Sequence, residues 1–98
     1  MAIKNLAVTI GASVTPFSKA SIRCNWATWC NNSGHAMAWG GPDTAVGTPG
    51  VGQPLAIAGT NYQNRAYCSQ TNLAHLYVAG TQNDVLNVTY EDGTDNLP

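Results

Sequence analysis

The sequence predicts an all-β fold, an antiparallel β-sandwich or jelly-roll-like single domain. Several short segments alternate apolar and polar residues, and turn-forming Gly, Asn and Pro residues separate them. No stretch longer than about ten residues keeps the 3.6-residue period of a helix without a Gly or a Pro. Because 98 residues are enough for one modest core, we expect about six to eight short strands in one domain.

The first twenty residues predict a strand through Leu6, Val8 and Ile10, a turn, and a second extended piece that ends at Pro16. We expect residues 1–20 to form an N-terminal arm and the first strands. Residues 21–91 then form the β-sandwich domain, and residues 92–98 form a polar tail. If the arm is separable, removal of residues 1–12 leaves a folded protein.

The segment SIRCNWATWCN, residues 21–31, predicts a strand with Cys24 and Trp26 on one face and Ala27 and Trp29 on the other. Trp29 breaks the pattern of one apolar face, so either a bulge redirects it or both faces are partly covered. The turn residues NNSG follow, and HAMAWGG returns. This arrangement predicts a β-hairpin.

The segment at residues 40–64 contains six glycines and three prolines. This composition excludes a helix and allows only short extended pieces between turns. We expect a long surface excursion with a strand at residues 55–58. Such a segment in a compact domain is usually functional or held by a neighbour.

The last part of the sequence predicts a second hairpin. Leu76 and Val78 have strand spacing in LAHLYVAG, and GTQND supplies turn residues. DVLNVTYE then alternates, with Leu86, Val88 and Tyr90 on one face.

Charge is scarce in this chain. Only 9% of the residues are charged, against about 25% in ordinary soluble domains, and the net charge is −1. A free monomer normally uses charge to stay soluble, so this neutral surface indicates coverage by other subunits in a homo-oligomer.

The same composition argues against nucleic acid and membrane partners. The basic residues Lys4, Lys19, Arg23 and Arg65 are scattered, so we expect no nucleic-acid binding. The longest apolar run is far shorter than the ~20 residues that cross a bilayer, and the N-terminus lacks a hydrophobic leader segment. We therefore expect no membrane partner and no secretion signal.

The cysteines and histidines predict no chemistry. Cys24 and Cys30 on one strand lie about 20 Å apart, beyond the ~7 Å limit for a disulfide. Cys68 could meet one of them across a sheet, but without an export signal we expect reduced, buried thiols. The spacing to His35 and His75 fits neither a structural zinc site nor a cysteine nucleophile. We expect no metal, no cofactor and no enzymatic activity.

The aromatic residues leave two interpretations open. Trp29, Trp39 and Tyr62 could form an exposed platform for sugar rings, but aromatics also pin strand register and fill sandwich cores. The first interpretation predicts a tail- or fibre-associated module for host recognition and carbohydrate binding.

The order of the segments carries a resemblance. A strand of the SIRCNWATWC type, NNSG, a short return strand ending in GG, PDTAVG, GQPLAIAG and LAHLYVAGTQNDVLNVTYE follow one another between residues 21 and 91. This order resembles small virion proteins of tailed bacteriophages, of the capsid decoration or cement type. The resemblance implies a β-sandwich or jelly-roll subunit, with a trimer favoured, on the capsid surface. It further implies that the subunit binds and stabilises the shell of major capsid protein and is assembled in the host bacterial cytoplasm.

Two segments are the candidate contacts with that partner. A strand paired with a neighbour forms main-chain hydrogen bonds, which favours the arm, and the exposed excursion is the second candidate. The candidate contact residues are Ala2, Ile3, Lys4, Asn5 and Leu6 in the arm, and Pro42, Val46, Pro49 and Val51 in the excursion.

Overall fold

The structure is a computed structural model that describes residues 2–47 and 50–93. Its eight strands are β1 (Ala2–Thr9), β2 (Thr15–Pro16), β3 (Arg23–Asn31), β4 (Met37–Gly40), β5 (Gln53–Leu55), β6 (Arg65–Asn72), β7 (Tyr77–Ala79) and β8 (Val85–Asp92). One 3-10 turn, Leu73–His75, joins β6 to β7. The described residues contain no α-helix.

The strands form two four-stranded antiparallel sheets. The first sheet has the order β1-β8-β3-β6 and the second sheet has the order β2-β7-β4-β5. β1 pairs with β8, β2 with β7, β3 with β6 and β4 with β5, as in a long hairpin wrapped into a sandwich. This order is that of a jelly roll, which confirms the predicted fold class.

The first twenty residues belong to the sandwich and do not form a detached arm. β1 pairs with β8 along its whole length, from Ala2 opposite Asp92 to Thr9 opposite Val85. Val8, at 5% exposure, lies in the core, as do Ile10 and Phe17. Removal of residues 1–12 would delete a strand and two core side chains, which argues against the expectation that the remaining chain stays folded.

Asp92, the first residue of the predicted polar tail, belongs to β8. Asp92 is the last residue of β8, is 6% exposed, and accepts a hydrogen bond from Lys4 Nζ at 2.9 Å. The predicted tail from residue 94 onward lies outside the described residues.

Both predicted hairpins are wrong, because each turn carries the chain from one sheet to the other. β3 lies in the first sheet and β4 in the second, and β7 and β8 are divided in the same way. In the turn between β3 and β4, the fully buried Asn31 donates from Nδ2 to His35 O at 2.7 Å, and its Oδ1 accepts from Ser33 N at 2.9 Å. A side-chain amide thus takes the place of a hairpin ladder.

A bulge in β3 explains the position of Trp29. The register against β8 shifts between Cys24 and Trp26, so Cys24 before the shift and Ala27 and Trp29 after it are all buried. Of the two alternatives for Trp29, the bulge is confirmed. Beyond the shift, Trp26 points away from the core, opposite to the prediction.

The glycine- and proline-rich excursion contains β5 at Gln53–Leu55, two residues earlier than predicted, and a bridge between Ala45 and Val51. Gly52 has φ +102°, and a Cβ at this position would lie 2.7 Å from Trp39 O. The chain passes so close to β4 here that only glycine fits without strain.

The core lies between the two sheets. Its buried members are Val8, Ile10, Phe17, Cys24, Ala27, Trp29, Met37, Leu55, Leu73, Val78, Leu86, Val88 and Tyr90. The prediction that Leu86, Val88 and Tyr90 share one face is confirmed, because all three point inward from β8.

Candidate functional site

The predicted aromatic platform is not assembled. Trp29 is 1% exposed and packs edge-to-face against Phe17 and Trp39, with ring centroids 5.1 and 4.9 Å apart. Trp39 is partly buried against the same core. Tyr62 is 75% exposed in the loop between β5 and β6, so the platform of Trp29, Trp39 and Tyr62 is wrong as a set.

A different aromatic group is exposed. The Arg65 guanidinium lies 4.8 Å from the centre of the Tyr62 ring, a cation–π distance. Tyr67, 64% exposed, follows Arg65 by two residues on β6 and so faces the same way. Asn61 and Tyr62 have φ of 50° and 72°, a left-handed pair that turns the Tyr62 ring outward. We call Tyr62, Arg65 and Tyr67 the tyrosine–arginine cluster.

The cluster borders the solvent side of the first sheet, which we call the outer face. Strand pairing arranges the residues of the outer face in three rows, each with one residue from each of the four strands. The outer face consists of Ile3, Asn5 and Ala7 of β1, Asn87, Thr89 and Glu91 of β8, Trp26, Thr28 and Cys30 of β3, and Arg65, Tyr67 and Ser69 of β6. Only Arg65 and Glu91 carry charge, and their charges are opposite.

Hydrogen bonds between neighbouring strands order this face. Thr89 Oγ1 donates to Asn5 Oδ1 at 2.7 Å, and Thr28 Oγ1 donates to Ala66 O at 2.9 Å. Two shallow grooves, of about 540 and 250 Å³, flank Asn87 and Thr89 on either side of β8. Side chains fixed in this way lose little entropy when a flat partner covers them.

The candidate contact residues are divided between the two sheets. Ala2, Ile3, Lys4, Asn5 and Leu6 lie on β1, where Ile3 is 65% exposed and lies on the outer face. Pro42, Val46 and Val51 are exposed around the second sheet. Pro49 lies outside the described residues. The two segments therefore do not form one continuous strand surface.

The excursion has an apolar groove of its own. Val46 and Val51, 47% and 46% exposed, line a depression of about 300 Å³ together with Met37 and Pro54. This groove and its exposed valines make the excursion a second candidate surface, separate from the outer face.

A larger cleft, of about 610 Å³, opens at the end of the first sheet. Arg23, Cys24, Gln70 and His75 are among the residues that line it. Burial, and secondarily the negative charge of Asp92, raises the pKa of the Cys24 thiol to about 11. The thiol therefore keeps its proton at neutral pH, which is the opposite of what a nucleophilic cysteine needs.

One of the two histidines has a structural partner. His35 Nδ1 lies 2.8 Å from Asp84 Oδ2 and links the β3–β4 turn to the β7–β8 turn. In residues 2–47 and 50–93, no three His, Cys, Asp or Glu side chains converge to hold a metal ion. Cys24, Cys30 and Cys68 are free thiols, and only Cys24 is fully buried. Within the same residues there is no helix long and apolar enough to cross a membrane.

By its fold the described part of the chain is an eight-stranded jelly-roll sandwich, and one candidate surface is the nearly uncharged outer face of the first sheet. Comparison with protein-family models, curated proteins and solved structures finds no match to this chain.

Proposed function

We propose that this protein is a bacteriophage virion structural protein, a capsid decoration (cement) protein that binds the major capsid protein and stabilises the shell. One observation carries the proposal: the outer face is ordered by hydrogen bonds and almost without charge. Its exposed Ile3 and Tyr67 are the kind of side chains that protein interfaces use.

Three further points support the proposal. The order of segments from residue 21 to 91 resembles that of such proteins. Jelly rolls recur among viral capsid domains, which is an analogy at the level of fold alone. A chain with 9% charged residues also suits a subunit that works inside a virion-surface assembly, with a trimer favoured, after synthesis in the bacterial cytoplasm.

The experiment measures cosedimentation of the purified protein with phage shells stripped of their surface proteins. Asn87→Lys places a charge between the two grooves of the outer face, where the side chain is exposed. Gln82→Lys adds the same charge to an exposed turn and is the matched control. We expect the first variant to bind at least about tenfold more weakly and the control to bind like wild type.

Other results would redirect or end the proposal. Equal binding by both variants would remove the outer face as the contact and leave the Val46 and Val51 groove to be tested. Absence of wild-type binding to shells would overturn the capsid proposal.

A second candidate function is carbohydrate binding, and the tyrosine–arginine cluster favours it. Exposed tyrosine rings can stack on the apolar faces of sugars, and a nearby guanidinium can donate hydrogen bonds to hydroxyl groups. Lectin domains also use the jelly roll. A glycan screen tests it: Tyr67→Ala should lose any binding that wild type shows, whereas Ile57→Ala, which truncates another exposed apolar side chain, should keep it.

A further inference from the structure

The four edge strands of the sandwich are protected very unequally. β2 and β5 have two and three residues, and each contains a proline, Pro16 or Pro54. β6 contains Gln70 at φ 51°, outside the extended region of a regular strand. β1 has eight residues without proline or glycine, and its register with β8 has no shift. Natural sheets usually shorten or interrupt their edges, and in residues 2–47 and 50–93 no strand pairs with the outer side of β1, so β1 is an open edge.

The hydrogen-bond pattern identifies which groups of β1 face that edge. Ile10 N donates to Asp84 O at 2.9 Å, directly beyond the pair of Thr9 and Val85. Antiparallel ladders alternate, so the even-numbered residues of β1 exchange backbone hydrogen bonds with β8. The odd-numbered residues, Ile3, Asn5, Ala7 and Thr9, direct their N–H and C=O groups away from β8.

The side chains of β1 allow a close approach of a second strand. The one charged residue of β1 is Lys4, which lies on the side of the strand that faces the core. Its ammonium group forms an ion pair with Asp92 at 2.9 Å, so two β1 edges can meet without bringing together two unpaired positive charges. Asn5 and Ala7 are small. Ile3 is 65% exposed, and pairing centred on Asn5 would place it beside Ala7 of the second strand.

We propose that β1 pairs antiparallel with β1 of a second copy of this chain, across a two-fold axis near Asn5, and joins two first sheets into one continuous sheet. Such pairing is self-complementary and forms about six backbone hydrogen bonds. Because the contact is narrow, the dimer is reversible and depends on concentration. The inference does not rest on the capsid proposal; a trimer would need a different surface, since this axis is two-fold.

The experiment measures mass by light scattering from about 10 µM to about 1 mM protein, the range in which a small interface saturates. Asn5→Pro removes one N–H that faces the open edge and leaves the ladder with β8 intact. Asn5→Ala is the matched control, because it loses the same contact with Thr89 but keeps the N–H. We expect wild type and Asn5→Ala to approach twice the chain mass of 10.3 kDa, and Asn5→Pro to need at least about tenfold more protein.

Amide hydrogen exchange tests the same pairing without a variant. In wild type, the amides of Ile3, Asn5 and Ala7 should become protected as concentration rises, while those of Lys4 and Leu6 stay protected throughout. A monomer at all concentrations, with fast exchange at the odd positions, would overturn the proposal. Dimerisation that Asn5→Pro does not weaken would place the interface elsewhere and overturn it as well. Protection only in the presence of phage shells would identify a strand of another protein as the occupant and exclude the second copy.

Discussion

The two sheets of this sandwich differ in how they are held together. The first sheet has strands of eight, eight, nine and eight residues in spatial order. The second has strands of two, three, four and three residues. Strands that short form few ladder bonds, so the second sheet depends on packing against the first. The first sheet supplies a rigid surface with an open edge, and the second closes the core.

Trp29 is the main contact through which the first sheet supports the second. Its ring comes from β3 and contacts Phe17, beside β2, and Trp39 of β4. Its Nε1 makes no hydrogen bond with any described residue, so its contribution is packing alone. Loss of this ring should therefore affect the second sheet more than the first.

Trp29→Ala is the change with the largest expected effect. We expect the free energy of unfolding in urea to fall by about 3–5 kcal/mol, because a large cavity opens between the sheets. Trp29→Phe should cost less, since it keeps an aromatic ring and removes the unpaired N–H. Amides of β4 and β7 should lose more protection than those of β3 and β8.

Tyr67→Ala is the control, because Tyr67 lies on the same sheet but on its outer face. We expect its effect to stay within about 0.5 kcal/mol. Uniform loss of protection in both sheets of the Trp29 variant would contradict the view that the second sheet depends on the first.

Gly52→Ala tests the second sheet directly and should have an intermediate effect. The substitution puts a Cβ 2.7 Å from Trp39 O at φ +102°, where L-residues are strained. We expect a loss of about 2 kcal/mol in unfolding free energy. Gly34→Ala is the control, because a Cβ there meets nothing within 4 Å, and its effect should be near zero. A tolerated Gly52→Ala would mean that the excursion shifts easily against β4.

The comparison of the sheets also explains what the sequence could predict. Alternation marked β3 and β8, because long half-buried strands repeat the pattern often enough to be recognised. β2 and β7 lie where the sequence predicted an extended piece ending at Pro16 and strand spacing at Leu76 and Val78, but strands of two and three residues are too short for a period to fix their bounds. The shared face of Leu86, Val88 and Tyr90 on β8 was predicted correctly.

Pairing between strands was not predictable in the same way. Turn residues at NNSG and GTQND show that the chain reverses, but the same residues serve a hairpin and a crossing between sheets. In the NNSG turn, the buried Asn31 and its hydrogen bond to His35 go with a crossing between sheets. No local sequence pattern reveals that an asparagine will be buried. The outer face was missed for a related reason: its rows combine residues of four strands, and their register depends on long-range pairing.

Cys24 gives a smaller test, of whether water is excluded from the end of the first sheet where its thiol is buried. Burial and Asp92 raise the pKa of its thiol from 9.0 to about 11. Between these values the unfolded chain loses the proton while the folded chain keeps it, so stability that is complete below pH 9.0 falls as pH rises toward about 11.

Urea unfolding at about pH 8 and about pH 10.5 should show a loss for wild type that exceeds the loss for Cys24→Ala by at most about 2 kcal/mol. All other side chains are the same in both proteins, so the difference between the two losses isolates Cys24. Equal losses would mean that the thiol ionises as easily in the folded protein as in the unfolded chain. In that case the bulged end of the first sheet is hydrated, and the contrast between a sealed first sheet and a dependent second sheet holds only for its middle strands.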